Sequence, residues 1–136
     1  MRTIKFRGQR IDNGEWEYGD LVHDNIGGCY VFPTECKGLY RNNKVFSQSV
    51  GQFTGLKDKN GRDIYEGDIY WRDPAKVWSR QPYCVDYCNG AWIGKDSDGG
   101  WLTLIERDSE LISNQLDYIE VVGNIHDNPE LLNAER

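Results

Sequence analysis

The chain has 136 residues, 38% of them hydrophobic, with a mean hydropathy of −0.72, which fits one soluble domain with a thin core or two very small ones sharing it. A net charge of −6 argues against generic nucleic-acid binding through a basic face, because phosphate backbones bind cations. The opening MRTIKFRGQR lacks the apolar run of a signal peptide, and no stretch reaches the roughly 20 apolar residues of a membrane span. The expected compartment is therefore the cytoplasm, with no membrane partner, and Cys29, Cys36, Cys84 and Cys88 are expected as free thiols.

Aromatic residues make up 12% of the chain and suit strands better than helices. TIKFRGQRI alternates, Asp12-Asn13-Gly14 turns, and Glu15–Tyr18 resumes the alternation, which predicts a hairpin. Gly28–Phe32 reads as a strand stopped by Pro33, Thr34–Asn43 as a loop, and Lys44–Phe53 as one further strand. Asp58–Gly61 is a turn, Ile64-Tyr65 a short apolar step, and Gly67 is placed to take a left-handed angle before Asp68 opens the strand Ile69–Trp71. Asp73–Pro82 reads as an irregular connection. Tyr83–Cys88 and Ala91–Gly94 flank Asn89-Gly90 as a second hairpin, and Trp101–Ile105 follows a polar loop. Asp108–Leu116 fits a short helix, Tyr118–Ile125 a last strand, and Asn128-Pro129-Glu130 a helix start capped by Asn. Residues 1–136 are read as a single domain, with a weak echo between turn–strand units near 13–22 and 60–70.

The candidate chemistry is sparse. Calcium loops starting at Asp58 or Asp96 need Gly at the sixth position and Glu at the twelfth, and hold Asp63 and Ile69, or Trp101 and Arg107. Cys84 and Cys88 share one side of a strand, but zinc knuckles more often place two residues between their thiols. No nucleophile elbow or phosphate loop occurs, and the adjacent His126 and Asp127 point to opposite faces of a strand. Aromatic residues interleaved with cations, Trp71, Lys76, Trp78, Arg80 and Tyr83, form the one stretch that suits an interaction surface such as a single-strand platform.

Three blocks, KFRGQR, SVGQFTGLKDKNGRDIYEGDIY and IEVVGNIHDNPELL, resemble the YopX-like proteins of bacteriophages and prophages, and they appear in the family's order. Asp24–Lys44 and Arg72–Leu116 carry little of the likeness. The resemblance implies a small cytoplasmic accessory protein and transfers no catalytic residue. Gly55, Asn60, Gly61, Tyr65, Gly67, Asp68, Gly123 and Asn124 read as a structural motif that preserves turns and core. The expected fold is mainly β: a strongly bent antiparallel sheet, in the limit a small SH3-like barrel, with one or two short helices. The expected function is binding of a protein partner or self-association, without catalysis, cofactor or metal. The alternatives are single-stranded nucleic-acid binding, and an enzyme built on dispersed carboxylates and His126.

Overall fold

The computed structural model describes residues 2–33, 43–72, 81–105 and 114–133. It falls into two compact units, Met1–Phe53 and Thr54–Arg136. The architecture is mainly β with a strongly curled sheet, as the alternation implies.

In the first unit β1 (Phe6–Gln9) and β2 (Trp16–His23) form the expected hairpin, in register from Phe6 opposite Gly19 to Gln9 opposite Trp16. Asn13 closes its turn by accepting the Glu15 N–H at 2.9 Å. β3 (Cys29–Phe32) pairs with β2, and β4 (Lys44–Val45) with β3. The sheet then bends back on itself. Val45 lies opposite Cys29 on β3 and also bridges Arg10 just beyond β1, while the Phe46 N–H donates to the Gln9 carbonyl at 2.9 Å. A Cβ on Gly8 would run into the Val45 side chain, so only glycine lets the curl close this tightly. Cys29, Val31 and Val45 form a small core with Leu21 and Val50 packed on it. Their neighbours Tyr30 and Phe32 stack on the opposite face at 6.3 Å.

Lys44–Phe53 is not one strand. A 3-10 turn, Ser47–Ser49, separates β4 from β5 (Gly51–Lys57). The cause is Ser49, which is buried, accepts the Gln9 N–H at 2.8 Å and donates to the Phe46 carbonyl at 2.6 Å. A hydroxyl bonded locally to backbone competes with the strand ladder.

β5 runs across the boundary into the second unit, where it neighbours β6 (Asp63–Tyr65). A second sheet follows, in the order β10-β9-β8-β7-β11. Its strands are β7 (Asp68–Arg72), β8 (Tyr83–Cys88), β9 (Ala91–Lys95), β10 (Trp101–Thr103) and β11 (Ile119–Asn124), paired antiparallel throughout. The β8–β9 turn has positive φ at both Asn89 (51°) and Gly90 (82°), the geometry that a right-twisted two-residue hairpin requires. The core gathers Leu56, Ile64, Tyr70, Val85, Leu104, Leu116, Tyr118, Ile119 and Val121. The last described element is a 3-10 helix, Pro129–Asn133. Most of the helix expected over Asp108–Leu116 lies outside the described residues; at its end Gln115 bridges Lys57 in parallel and Leu116 is buried.

One turn device recurs three times as Asp-x-x-Gly-x: Asp24–Gly28, Asp58–Arg62 and Asp96–Gly100. In each, one carboxylate oxygen accepts N–H groups from the second and fourth residues on, and the Asp N–H donates to the carbonyl of the fourth. The glycines have φ of 90°, 80° and 86°. Asp58 differs in burial. It is 1% exposed, and its second oxygen accepts the Val121 N–H of β11 at 3.0 Å.

Two predictions follow from this device. Asp58→Ala strands three backbone donors, two in the turn and one in the sheet, and buried unsatisfied groups cost about 1–3 kcal/mol each. Chemical denaturation should show Asp58→Ala losing clearly more stability than Asp96→Ala; equal losses would refute the role of the Val121 bond. At Asp24, N–H groups of Gly28 and Ile26 hold the carboxyl below its usual range, with the Tyr30 hydroxyl adding to the effect. A depressed folded-state value contributes stability above the unfolded value of about 3.9 and loses it as pH falls through the folded one. Melting curves from neutral pH down into that acid window should fall less steeply for Asp24→Asn than for wild type. Parallel curves would refute the linkage.

Candidate functional site

The patterned stretch from Thr54 onward is built of side chains that serve the backbone. The Thr54 hydroxyl donates to the Ile64 carbonyl at 2.8 Å and accepts the Leu56 N–H at 3.2 Å, spanning Gly55 with its φ of 86°. Asn60 and Gly61 complete the Asp58 turn. The Tyr65 N–H donates to Asp68, a buried carboxylate, at 2.7 Å. Between them Gly67 has φ 90°, as the sequence implies; its N–H donates to Val85 of β8 and its carbonyl accepts the Ile125 N–H, both at 2.9 Å.

At the end of β11 Asn124 accepts the N–H groups of His126 and Asp127 at 2.9 Å each, and a Cβ on Gly123 would strike Asn128 and Leu131. The eight motif residues thus lie in the strands and turns of the second unit, and Asp68 and Asn124 each accept main-chain N–H groups, Asn124 also donating to the Asp127 carboxylate. His126 belongs to the Asn124 turn, and His23 lies exposed on β2 of the first unit.

The aromatic–basic stretch divides. Lys76, Trp78 and Arg80 lie outside the described residues. Trp71 is half-buried on β7, and Tyr83 stacks on Tyr70 at 5.6 Å against the core. Cys36 also lies outside the described residues, and Cys29, Cys84 and Cys88 are free thiols.

A different surface has the shape of a binding site. Tyr70 is fully buried, and its hydroxyl occupies the space a side chain at Gly94 would fill. Burial pushes that phenol far above its ordinary range. Gly94 and Trp92 therefore share the face of β9 that packs on the core, and Ala91, Ile93 and Lys95 share the other, on which Ala91 and Lys95 are exposed and Ile93 is buried. The ladder aligns Cys88 with Ala91, Asp86 with Ile93, and Cys84 with Lys95; on the other side Trp101 meets Lys95 and Thr103 meets Ile93. Over this face lies a cavity of about 510 Å³ lined by Cys88, Asn89, Ala91, Ile93, Lys95, Trp101 and Thr103. Lys95 bonds Asp86 at 2.9 Å, and that carboxylate raises the ammonium above its usual value. Trp101 is 66% exposed, and large exposed aromatics beside apolar hollows mark contact surfaces. The sequence reading had Cys84 and Cys88 on one side of a strand but not the surface they help to form. The available signal was Gly94 beside two adjacent apolar residues, which flags a strand with one face closely approached.

With this geometry in hand, comparison with known proteins is direct. The YopX protein family matches over residues 5–133. This chain belongs to the YopX family. A search of curated proteins gives no match. Among solved structures it is similar to protein EF1440 from Enterococcus faecalis, at 27% identity and a TM-score of 0.61, over 97% of this chain and 99% of that one. The second YopX-like block holds the Asp58 and Gly67 turns, the third holds the Asn124 turn, and the first, KFRGQR, covers β1. Among the described residues, no helix is long and apolar enough to cross a membrane.

If the YopX block is architecture, Gly67→Val should lower stability by about 1–3 kcal/mol, because a β-branched residue is strained at positive φ. Asp68→Asn keeps an acceptor for Tyr65 and should cost less. Thermal melts separate the two, and an unchanged midpoint for Gly67→Val would refute the assignment.

Proposed function

We propose that this YopX-family protein is a phage- or prophage-encoded accessory protein that acts by binding a protein partner in the bacterial cytoplasm, through the outward face of β8–β10. The observation that carries this reading is Trp101, exposed at the rim of an apolar hollow whose floor is Ile93. Buried aromatic anchors dominate binding energy at protein interfaces, and Trp is enriched among them. The likeness of its blocks to phage proteins supports the setting. Free thiols at Cys29, Cys84 and Cys88 suit a reducing compartment.

The test is a capture experiment from host cells with wild-type and Trp101→Ala protein, each first checked by its melting curve. Trp101 is exposed, so its removal should leave the fold intact. Removing an interface anchor costs 2 kcal/mol or more, roughly thirtyfold in affinity. Partners retained equally by both proteins would refute this face as the binding site.

A further inference from the structure

We infer that Asp20 and the aromatic side chains around it form a docking site for an arginine side chain of a partner protein. The site lies in the Met1–Phe53 unit, so it is separate from the β8–β10 face and does not depend on it.

Along β2, Tyr18, Asp20 and Val22 are exposed and alternate with the buried Gly19 and the half-buried Leu21, so the three share the outer face of the sheet. Tyr18 is 49% exposed and Val22 46%. Phe32 stands directly opposite Asp20 on β3, and Tyr30 stands opposite Val22. The two rings stack at 6.3 Å with 18° between their planes. Opposed side chains have Cβ atoms about 5 Å apart, and neighbours two along a strand lie about 7 Å apart. The Asp20 carboxylate therefore rises among apolar groups, with the Phe32 ring across from it and Tyr18 beside it.

The neighbouring cations are engaged elsewhere. Arg7, opposite Tyr18, is buried with its guanidinium 4.9 Å from the Trp16 ring, and the Lys5 ammonium lies 4.7 Å from the Phe53 ring. Lys44 adds its charge to the Gly28 and Ile26 N–H groups that hold the Asp24 carboxyl below its usual range. Asp20 has neither an ion pair nor a side-chain hydrogen bond among the described residues.

An unneutralised carboxylate beside aromatic rings favours a cation, and the rings select which one. A guanidinium is flat and weakly hydrated, and it can grip a carboxylate through two N–H groups while stacking on a ring. A Lys ammonium is a strongly hydrated point charge and gains less from the ring. The same unit shows both halves of this chemistry. Arg10 donates to Asp12 through Nε at 3.0 Å and Nη2 at 2.6 Å, and Arg7 lies over Trp16. At Asp20 the carboxylate and the rings stand together without the guanidinium. The same carboxylate repels phosphate, which disfavours a nucleic acid on this face.

The probe is the peptide GGRGG, titrated into isotope-labelled protein and followed at the amide signals of Tyr18, Asp20 and Phe32. The expected result is a saturable shift of these signals, with GGKGG binding at least threefold more weakly. Asp20→Asn changes an exposed, unpaired group, so its melting curve should match wild type while binding of GGRGG falls at least tenfold. Tyr18→Ala and Phe32→Leu keep the carboxylate, and at least one of them should bind at least threefold more weakly with its amide spectrum otherwise unchanged. Trp101→Ala should respond as wild type does, which separates this site from the β8–β10 reading.

No saturable shift, or equal binding by Asp20→Asn, overturns the inference. Equal binding by both ring variants leaves only attraction to a surface charge and overturns it too. GGKGG or choline binding as tightly as GGRGG overturns it in favour of a general ammonium site. Loss of the response in Trp101→Ala overturns it in favour of the β8–β10 face.

Discussion

The Asp58 carboxylate is taken out of water and held by N–H groups of Asn60, Arg62 and Val121, with no cation in the set. Burying a polar group is costly unless it is hydrogen-bonded, and three main-chain donors supply those bonds at Asp58. The arrangement fixes more than a turn. Lys59 donates its N–H to Ile119 and accepts from the Gln115 amide on its carbonyl, both at 2.9 Å, so the loop between β5 and β6 is laid against the start of β11. At the other end of β11, Gly67 accepts from Ile125 and donates to Val85. One edge of the second sheet is thus clamped at both ends by turns of the Thr54–Trp71 block. Among the described residues the opposite edge is β10, three residues long, with Trp101 largely exposed.

That asymmetry gives the apolar hollow its setting. The strands beneath it, β8 and β9, are fixed from below by Tyr70, Val85 and Trp92, so the buried Ile93 and the exposed Lys95 on the other face sit on a rigid support. The Asp86–Lys95 pair is about half exposed on each side and adds little stability in water. Its effect is on the character of the surface, because it neutralises the ammonium nearest the hollow and leaves the net acidity to the flanking turn. A site placed on strands holds its geometry better than one placed on loops.

The turns were the most legible part of the sequence. Asn89-Gly90 and Gly67 announce positive φ, and the structure has it at each. Strand order along the chain followed from alternation between these turns. Three features were not legible. The break at Ser47–Ser49 depends on a hydroxyl bonded to Gln9, forty residues away. The burial of Asp58 depends on Val121, sixty-three residues away, and the same Asp-x-x-Gly text at Asp24 and Asp96 gives surface turns. The hollow depends on which face of Ala91–Lys95 turns inward, and Trp92 and Ile93 are both apolar. Tyr70 resting on Gly94 decides it, a contact between strands that no local pattern encodes.

These failures share a cause that bears on where function lies. Residues whose role is local, a positive φ or an Asp-x-x-Gly turn, leave a readable mark, and they are the residues that make the YopX blocks recognisable. Residues whose role is set by a partner strand leave none. The β8–β10 face is carried on a sheet whose strands β7 and β11 are pinned by the Asp58, Gly67 and Asn124 turns. A scaffold of this kind separates two demands. Backbone-satisfying turns hold the sheet whatever its outer residues are, so those residues are constrained by what they touch. Surface residues on a rigid support are where binding specificity concentrates in other folds. The same logic makes the patterned stretch from Thr54 to Trp71 a poor place to look for chemistry and the weakly patterned strand Trp101–Thr103 a good one.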